Sequence, residues 1–590
     1  MVNSDIVKEQ TQTAKFLRIL FQPSNYAIYG DIREGYVDLL TALPSLRSDS
    51  IAELGPLEHL GGELYIWNLE NVTDPSHATG ANLEGKKNIE KLKLWWRDDD
   101  RVHNSSIPEQ ILEQLRPSSY LKALEVHNYP GVRFPNWLGE NCLSKLTSLY
   151  LHRGRHCSEL PALGQLELLK ELRIEHFDSI VSIGPEFYGI NSSNKKAFLS
   201  LEKLTFSIMP SLKQLTPPPI LDDDGQVRAF PLLQELFMKH CMVLETVVPI
   251  LPHYPLPSLT LLENVSPPFF NDGIHFRLSK LSTGLYRVEC GGYASDLNIL
   301  LERIESTMCL EELDIFSCPE IRSFQLRRFK DLSSLDVSKC PIFEYLYCGD
   351  EEGPLTCLRS LRIHECSNFI SFPGQGFLAP GLRKLSLENL DALEELPNHM
   401  HSLLPSLTDL RLSDCTKLRS FPEGGLPSSI EKLEISFCDE IESSPEGGFP
   451  SSLKELEIRG CGKLVADRKN WGLQALQSLS SLDISACEEV LESFPEETLL
   501  PSSLNSLRLD GFRHLKSLDY KGLEHLSSLK KLKLYFCPQL QSLPEEGLPS
   551  SLQCLKLSFC HKTLEERCKN GREWKLISHI PRIRIDCWEI

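Results

Sequence analysis

A leucine pattern that recurs at a nearly fixed interval limits what this chain can fold into. From Leu310 onward its starts are 22 to 26 residues apart. An interval of about 20–29 residues is typical of leucine-rich repeats, in which each unit is a short strand and a return segment. The pattern, Leu/Ile-x-x-Leu/Ile-x-apolar, begins at Leu121, Leu146, Leu169, Leu201, Leu233, Leu310, Leu332, Leu358, Leu382, Leu407, Ile430, Leu453, Leu479, Leu504, Leu529 and Leu552.

The spacing inside each unit explains why the units must stack. Leu456 and Ile458 are two residues apart and therefore point to the same side of a strand. One unit cannot bury this side alone, whereas stacked neighbours build a continuous core. The return segments contain Pro-Glu-Gly-Gly and Pro-Ser-Ser turns, which interrupt long helices. The sequence predicts an α/β leucine-rich-repeat solenoid, a curved horseshoe with a parallel sheet on its concave face and mostly irregular or 3₁₀ convex segments.

Breaks in the pattern predict how the chain is organised. Pro267, Pro268, Gly291 and Gly292 are expected to interrupt any strand in their region. An exposed loop is expected around Pro217–Pro219 and Asp222–Asp224, and helical spacing predicts a helix over Asp296–Thr307. The predicted segments are a degenerate N-terminal segment (1–56), opening repeats (57–120), repeats with insertions (121–259), a degenerate repeat or bend (260–309), regular repeats (310–568) and a C-terminal cap (569–590).

A cysteine recurs eight residues after many repeat starts. These positions are one coil apart, so the side chains are expected to form a column along the solenoid. The column could be a metal array or a disulfide ladder, but a small, buried side chain that closes the turn after each strand fits the pattern better. Its members are Cys241, Cys318, Cys340, Cys366, Cys415, Cys438, Cys461, Cys487, Cys537 and Cys560.

Motifs that could carry chemistry are weak. The stretch Gly80–Lys87 resembles a phosphate-binding loop, but it follows no strand and has Lys87 in place of the final Ser or Thr. Cys568 is the best isolated candidate for a reactive thiol, yet no base accompanies it in the sequence. We therefore expect no catalytic residue, no cofactor and no bound metal.

Charge and targeting signals restrict partners and compartment. Aspartate and glutamate outnumber lysine and arginine by 81 to 62, which gives a net charge of −19 and makes a nucleic-acid partner unexpected. The N-terminus lacks the apolar stretch of a secretory signal, and no apolar segment is long enough to span a membrane. The 19 cysteines are spread along the chain. These features predict the cytoplasm, with the nucleus as a second compartment.

The outward positions of the predicted strands form a polar surface. Solenoids commonly use such a surface to hold a protein partner. The residues between the paired core positions are therefore the predicted partner-binding set. They are Asp314, Asp336, Arg362, Arg411, Glu434, Glu457, Asp483, Arg508 and Lys533, with Ser386 and Lys556 at equivalent positions.

Several phrases resemble the leucine-rich-repeat region of plant intracellular disease-resistance proteins of the coiled-coil nucleotide-binding class. The resemblance covers residues 51–590 and implies a non-catalytic sensor of pathogen effectors or modified host proteins. In relatives this region also packs against a nucleotide-binding switch domain, and ADP or ATP binding belongs to that domain, whose motifs are not found in this chain. The phrases are LYIWNLENV (64–72), ANLEGKKNIEKLKLWW (81–96), FPNWLG (134–139), LPALGQLELLKELRI (160–174), IGPEFYG (183–189) and WKLISHIPRIRID (574–586).

Two alternatives stay open at this point. A secreted repeat inhibitor or receptor ectodomain would have Leu-x-Gly-x-Ile-Pro repeats, paired cysteine caps and a signal sequence, which this chain lacks. An enzyme on a repeat scaffold, for example a ligase, would use Cys568 as its nucleophile.

Overall fold

The structure is a computed structural model. Its strands divide into two compact units, one from Phe16 to Lys280 and one from Tyr286 to Glu589. It describes residues 16–19, 51–98, 106–139, 142–189, 197–212, 214–215, 230–241, 261–265, 274–292, 309–326, 329–347, 354–372, 377–485, 491–586 and 588–589.

The first unit contains a sheet whose successive strands pair in parallel, with one strand from each coil. The last pair, Leu261–Val265 with Ile274–Lys280, is antiparallel. The strands are Phe16–Ile19, Gly61–Ile66, Asn88–Trp95, Ala123–His127, Ser148–His152, Glu171–Glu175, Lys203–Met209, Glu235–Cys241, Leu261–Val265 and Ile274–Lys280.

The second unit repeats this arrangement more regularly. Leu433 pairs with Leu456, and Leu456 pairs with Leu482, so equivalent residues of successive coils lie side by side. The final pair is antiparallel. The strands are Tyr286–Gly292, Leu310–Phe316, Ser334–Ser338, Ser360–His364, Lys384–Glu388, Asp409–Ser413, Lys432–Ser436, Glu455–Arg459, Ser481–Ser485, Ser506–Asp510, Lys531–Tyr535, Cys554–Ser558, Arg582–Ile585 and Trp588–Glu589.

Within the described residues, the helices of the return segments are short, as the Pro- and Gly-rich turns predict. The 3₁₀ helices are Ile51–Leu54, Leu69–Asn71, Leu163–Gln165, Arg468–Asn470 and Leu473–Ala475. The α-helices are Pro75–Gly80, Ile107–Gln114, Asn136–Gly139, Pro185–Tyr188, Met400–Leu403, Gly462–Ala466, Tyr520–Leu523, Lys562–Asn570 and Trp574–Ile577. Short parallel pairs also form between return segments: Ser182–Ile183 with Gln214–Leu215, Ser323–Gln325 with Tyr345–Tyr347, and Ser493–Phe494 with Ser517–Leu518.

The core consists of the apolar repeat positions in stacked rows. Leu453, Leu456 and Ile458 of one coil are at most 1% exposed, and the corresponding residues of neighbouring coils are equally buried. Ile89, Leu92 and Leu94 are buried in the same way, so the stretch after Gly80–Lys87 is a repeat strand. The prediction of a leucine-rich-repeat solenoid is confirmed.

Most strands end on a residue with left-handed backbone. The φ angles at these positions lie between 49° and 76°, and each residue directly precedes the position of the cysteine column. At most of these positions the backbone N–H donates to a strand carbonyl of the next coil, as from Lys339 to His364 at 3.0 Å, whereas the N–H of Phe559 donates to Oδ1 of Asp586 at 3.0 Å. The left-handed residues are Asn128, Arg153, His176, Ile208, Ser317, Lys339, Glu365, Asn389, Asp414, Phe437, Gly460, Gly511, Phe536 and Phe559.

This geometry predicts opposite effects for two substitutions. Lys339→Gly should stabilise the protein by about 0.5–1 kcal/mol, because glycine adopts positive φ without a Cβ clash. Gly460→Ala should destabilise it by about 1–2 kcal/mol, because φ is +62° and the new Cβ would lie 2.5 Å from the Phe437 ring. Urea unfolding of both variants, with Lys339→Ala as the control, measures the two changes. Lower stability for Lys339→Gly than for Lys339→Ala would contradict the strain assigned to this position.

The predictions for the breaks in the repeat pattern have different outcomes. The expectation that Gly291 and Gly292 interrupt any strand is wrong, because the strand Tyr286–Gly292 contains both and pairs with Leu310–Phe316. Burial of Val288 and Cys290 stabilises this strand despite its glycines. The loop at Pro217–Pro219 and Asp222–Asp224, and the helix over Asp296–Thr307, lie outside the described residues.

The N-terminal segment also contributes to the fold. The strand Phe16–Ile19 lies within 1–56, where the sequence shows no clean repeat, and pairs in parallel with Gly61–Ile66. The division of the chain into six segments otherwise stays a prediction.

Candidate partner-binding face

The predicted partner-binding residues lie in one row across the sheet of the second unit. Backbone register pairs each with its neighbour on the next strand, and their side chains point away from the core. We call this row the central row and the surface that contains it the open sheet face. The central row reads Asp314, Asp336, Arg362, Ser386, Arg411, Glu434, Glu457, Asp483, Arg508, Lys533, Lys556 and Arg584.

Many charges of the central row are paired within the protein. Arg411 Nη2 lies 2.8 Å from a carboxylate oxygen of Glu434. Arg362 lies 3.1 Å from Glu388, and Arg508 lies 2.6 Å from Asp510. A partner must compete with these ion pairs, so the charge available for binding is smaller than the sequence indicates. Partner contact by any one of these residues stays a prediction.

Acidic residues of the row are close enough to affect one another. Burial raises the pKa of Glu457, and the neighbouring carboxylates of Glu434 and Asp483 raise it further. Burial likewise raises the pKa of Asp336, with a smaller contribution from Asp314. These stretches of the face favour a cationic group over another carboxylate.

A groove of about 280 Å³ crosses four strands of the open sheet face. Its lining combines cations and anions, so charged groups of both signs are available to a partner. The charged lining residues are Arg362, Lys384, Glu388, Asp409, Arg411, Lys432 and Glu434.

The first unit has an aromatic row that the sequence analysis missed. The rings of Trp67 and Trp95 stack at 4.4 Å, and those of Trp95 and His127 stack at 4.0 Å. His152 continues the row, with its ring centroid 5.4 Å from that of His127. Trp95, His127 and His152 hold equivalent positions at the ends of successive strands. Aligning the sequences of the early repeats would have shown an aromatic or histidine side chain at this position in successive repeats.

Charged groups beside the aromatic row have unusual pKa values. Burial alone would raise the pKa of Glu125, but hydrogen bonds from His127, Lys91 and Lys93 outweigh it and lower the pKa to about 2. The two lysine ammonium groups lie 2.8 and 3.0 Å from its carboxylate. Burial, together with His127 and His176, lowers the pKa of His152 to about 4. At neutral pH the groups beside the aromatic row therefore include an ionised Glu125 and an uncharged His152.

Glu125 should make stability depend on pH. A folded-state pKa of about 2, against 4.5 for the ordinary group, means that its ionised form stabilises the fold above pH 4.5. That contribution is lost as pH falls from 4.5 to 2. Glu125→Gln should therefore cost roughly 2–3 kcal/mol at pH 7 and clearly less at pH 3. Urea unfolding of both proteins at the two pH values measures this, and an equal cost at both would contradict the assignment.

The resemblance to a phosphate-binding loop has a structural explanation. Lys86 is 1% exposed, and its Nζ donates to the carbonyls of Leu57 at 2.9 Å and Gly55 at 3.4 Å. Burial lowers the pKa of this lysine. Its ammonium group thus satisfies the carbonyls of a preceding turn and is not positioned to hold a nucleotide phosphate.

Cys568 lies directly before the predicted C-terminal cap and is fully buried in the helix Lys562–Asn570. Burial raises the pKa of its thiol to about 12. Since the thiolate is the nucleophile, burial and the raised pKa disfavour reaction of this cysteine at neutral pH.

The cysteine column packs inside the turns that follow the strands. Cys318, Cys340, Cys366, Cys415, Cys438, Cys461 and Cys537 are buried, Cys560 is partly buried, and all eight are free thiols. Their Sγ atoms donate to nearby carbonyls, as from Cys340 to Ser338 at 3.2 Å. This confirms the packing interpretation for these eight. Cys487 and the side chain of Cys241 lie outside the described residues.

Comparison with known families finds a match for the first coils of the chain. Residues 51–177 match the family model described as R13L1/DRL21 leucine-rich repeats. The described coils have the leucine-rich-repeat fold, and the match covers those between residues 51 and 177. The resemblance of the chain to the repeat region of plant nucleotide-binding disease-resistance proteins is confirmed by this match and by the relatives below.

Relatives of this leucine-rich-repeat protein are plant disease-resistance proteins. Disease resistance RPP13-like protein 1 of Arabidopsis thaliana is 29% identical over 56% of this chain and 30% of its own length. A second Arabidopsis disease-resistance protein is 27% identical over 92% of this chain and 52% of its own length. Disease resistance protein RGA4 of Solanum bulbocastanum is 30% identical over 35% of this chain and 21% of its own length. The chain thus spans about half or less of each of these relatives.

Solved structures similar to this leucine-rich-repeat protein include a chain of the TLR13–ssRNA13 complex. That chain is 15% identical, with a TM-score of 0.26 and coverage of 90% of this chain and 91% of that one. A chain of the mouse RP105/MD-1 complex is 14% identical, with a TM-score of 0.29 and coverage of 89% and 78%. Within the described part of the protein, no helix has the length and apolar character needed to cross a membrane.

Proposed function

We propose that this chain is a plant defence-related leucine-rich-repeat protein that binds a protein partner through the open sheet face. The partner would be a pathogen effector or a host protein that an effector modifies. The observation that carries the proposal is the groove that extends from strand Ser360–His364 to strand Lys432–Ser436, where charged side chains of both signs line a partly open surface. Similarity to plant disease-resistance proteins supports the defence role.

The proposal describes a non-catalytic sensor or interaction module without a cofactor. The positions of Cys568 and Lys86 support this. Both side chains are buried, whereas a nucleophile or a phosphate-binding group would have to be accessible to its ligand. We place the protein in the cytoplasm and nucleus, where a nucleotide-binding switch domain would be a second partner. Such a domain would supply any ADP or ATP binding.

Co-expression in leaves with a panel of pathogen effectors tests the proposal. We expect at least one effector to co-precipitate with the chain and to change the immune response. Arg411→Glu should abolish that binding, because Arg411 lies in the groove between Glu388 and Glu434. Lys417→Glu is the matched control, since this exposed lysine lies on the return segment of the same coil. Neither binding nor an altered response across the panel would overturn the proposal.

A further inference from the structure

The last three parallel strands of the second unit carry a cluster of cations on the open sheet face. Lys533, Lys556 and Arg584 are direct neighbours in register, and Lys531 and Arg582 flank Cys554 in the adjacent row. We call Lys531, Lys533, Lys556, Arg582 and Arg584 the basic corner. Like charges directly opposite each other on a sheet reduce its stability. Placing these cations side by side therefore lowers the stability of the sheet, and packing of the core gives no reason for this arrangement.

The basic corner differs from Arg362, Arg411 and Arg508 of the central row in the ion pairs that its described side chains form. Arg508, on the preceding strand, lies 2.6 Å from Asp510 and 3.4 Å from Asp483. Among the side chains that the structure describes, the five cations of the corner have no carboxylate at ion-pair distance. Backbone register places Glu589 opposite Arg584 at the outer edge. Of the other four cations, Lys531 and Arg582 are exposed and Lys533 and Lys556 are half-buried, in a chain whose net charge is −19.

Two exposed phenylalanines adjoin the basic corner. Phe536 and Phe559 directly follow its first two strands, and their rings stack at 4.6 Å with an interplanar angle of 9°. They are 53% and 64% exposed, so most of the stacked pair is in contact with water. Both have left-handed backbone, with φ of 49° and 54°, which is rare for a bulky side chain. The same strands thus present cations on their face and an apolar platform at their carboxyl end.

We propose that the basic corner binds an acidic protein segment that carries an aromatic or large aliphatic side chain. Carboxylates of the segment would pair with Lys533, Lys556 and their neighbours, and its apolar side chain would pack on Phe536 and Phe559. The inference rests on the proposed function and narrows the partner to an acidic one. A nucleic acid is a poorer match, because the strongly negative remainder of the protein would repel a long phosphate backbone.

Fluorescence anisotropy with the full chain tests this inference. The probes are a labelled peptide of Asp and Glu around one Trp, the same peptide with Lys in place of the acids, and a labelled oligo(dT). We expect the acidic peptide to bind most tightly, more weakly as salt is raised. Lys533→Glu/Lys556→Glu should weaken its binding by about tenfold or more. Lys521→Glu/Lys562→Glu, on exposed return-segment lysines, makes the same charge change and should leave binding unaltered.

A second pair of measurements isolates the phenylalanines. Phe536→Gly/Phe559→Gly should weaken binding of the Trp peptide but not of an otherwise identical peptide with Ala. Wild-type affinity in Lys533→Glu/Lys556→Glu, or tighter binding of oligo(dT) than of the acidic peptide, would overturn the inference. Self-association of the wild-type chain in sedimentation, lost in the same double variant, would assign the corner to a second copy and also overturn it.

Failure of this inference is distinguishable from failure of the proposed function. An effector whose binding is lost in Arg411→Glu but kept in Lys533→Glu/Lys556→Glu would leave the proposed function standing and remove the basic corner as its site. If no effector binds at all, the peptide measurements still decide whether the corner recognises acidic segments.

Discussion

Trp471→Ala is expected to destabilise the second unit by about 3–5 kcal/mol, as for other large aromatic side chains removed from a core. Trp471 is 1% exposed, its Nε1 donates to the Leu464 carbonyl at 3.1 Å, and its ring packs edge-on against Phe449 at 5.9 Å. Alanine would leave a cavity and remove one of the two hydrogen bonds that the Leu464 carbonyl accepts in the same coil. Urea unfolding followed by circular dichroism would show a lower midpoint.

Hydrogen exchange would show which strands are destabilised by Trp471→Ala. Each coil contacts only its neighbours, so exchange should accelerate in the strands Glu455–Arg459 and Ser481–Ser485 and stay unchanged in Ser148–His152 of the first unit. Trp574→Ala is the control, because this tryptophan is 36% exposed. Equal losses of stability for the two tryptophan variants would contradict the assignment of Trp471 to the core.

Leu456→Ala is the second large expected effect, with a cost of about 2–5 kcal/mol. Leu456 is 1% exposed and lies in register between Leu433 and Leu482, so truncation opens a gap in a row that three coils share. Measurement of the free energy of unfolding by urea titration tests the value.

Glu457→Ala is the matched control one residue away. Glu457 points to the open sheet face, where burial and two neighbouring carboxylates raise its pKa. Removing this carboxylate should change stability at neutral pH by less than about 0.5 kcal/mol, which is typical of surface positions. Equal unfolding midpoints for Leu456→Ala and Glu457→Ala would mean that the inward and outward faces of the strand are reversed.

The repeat positions made most of the fold predictable. Because apolar residues two apart must point to one side, Leu456 and Ile458 identify the buried face of their strand without any structure. The turn residues of the return segments equally predict short helices. The same periodicity placed the predicted partner-binding residues in a single row, as the register of the second unit confirms.

Other features depend on contacts between coils, which the sequence of a single repeat does not reveal. Pairing of Arg411 with Glu434, and of Arg362 with Glu388, needs the register of adjacent strands and the reach of each side chain. The strand Tyr286–Gly292 forms despite two glycines, because its neighbour supplies hydrogen bonds and its inward residues are buried. The antiparallel pair at Leu261–Val265 has no signal in the repeat pattern, which predicts only parallel neighbours.

The left-handed residue at the end of most strands has a consequence for how such a protein can change its specificity. Residues as different as Arg153, Glu365, Asn389 and Phe536 adopt the same backbone there, and their N–H groups make the same hydrogen bond to the next coil. The fold therefore specifies the main chain at this position and not the identity of the side chain. A new partner can be recognised by exchanging these side chains one coil at a time, each at a small energetic cost, without rebuilding the coil that carries them.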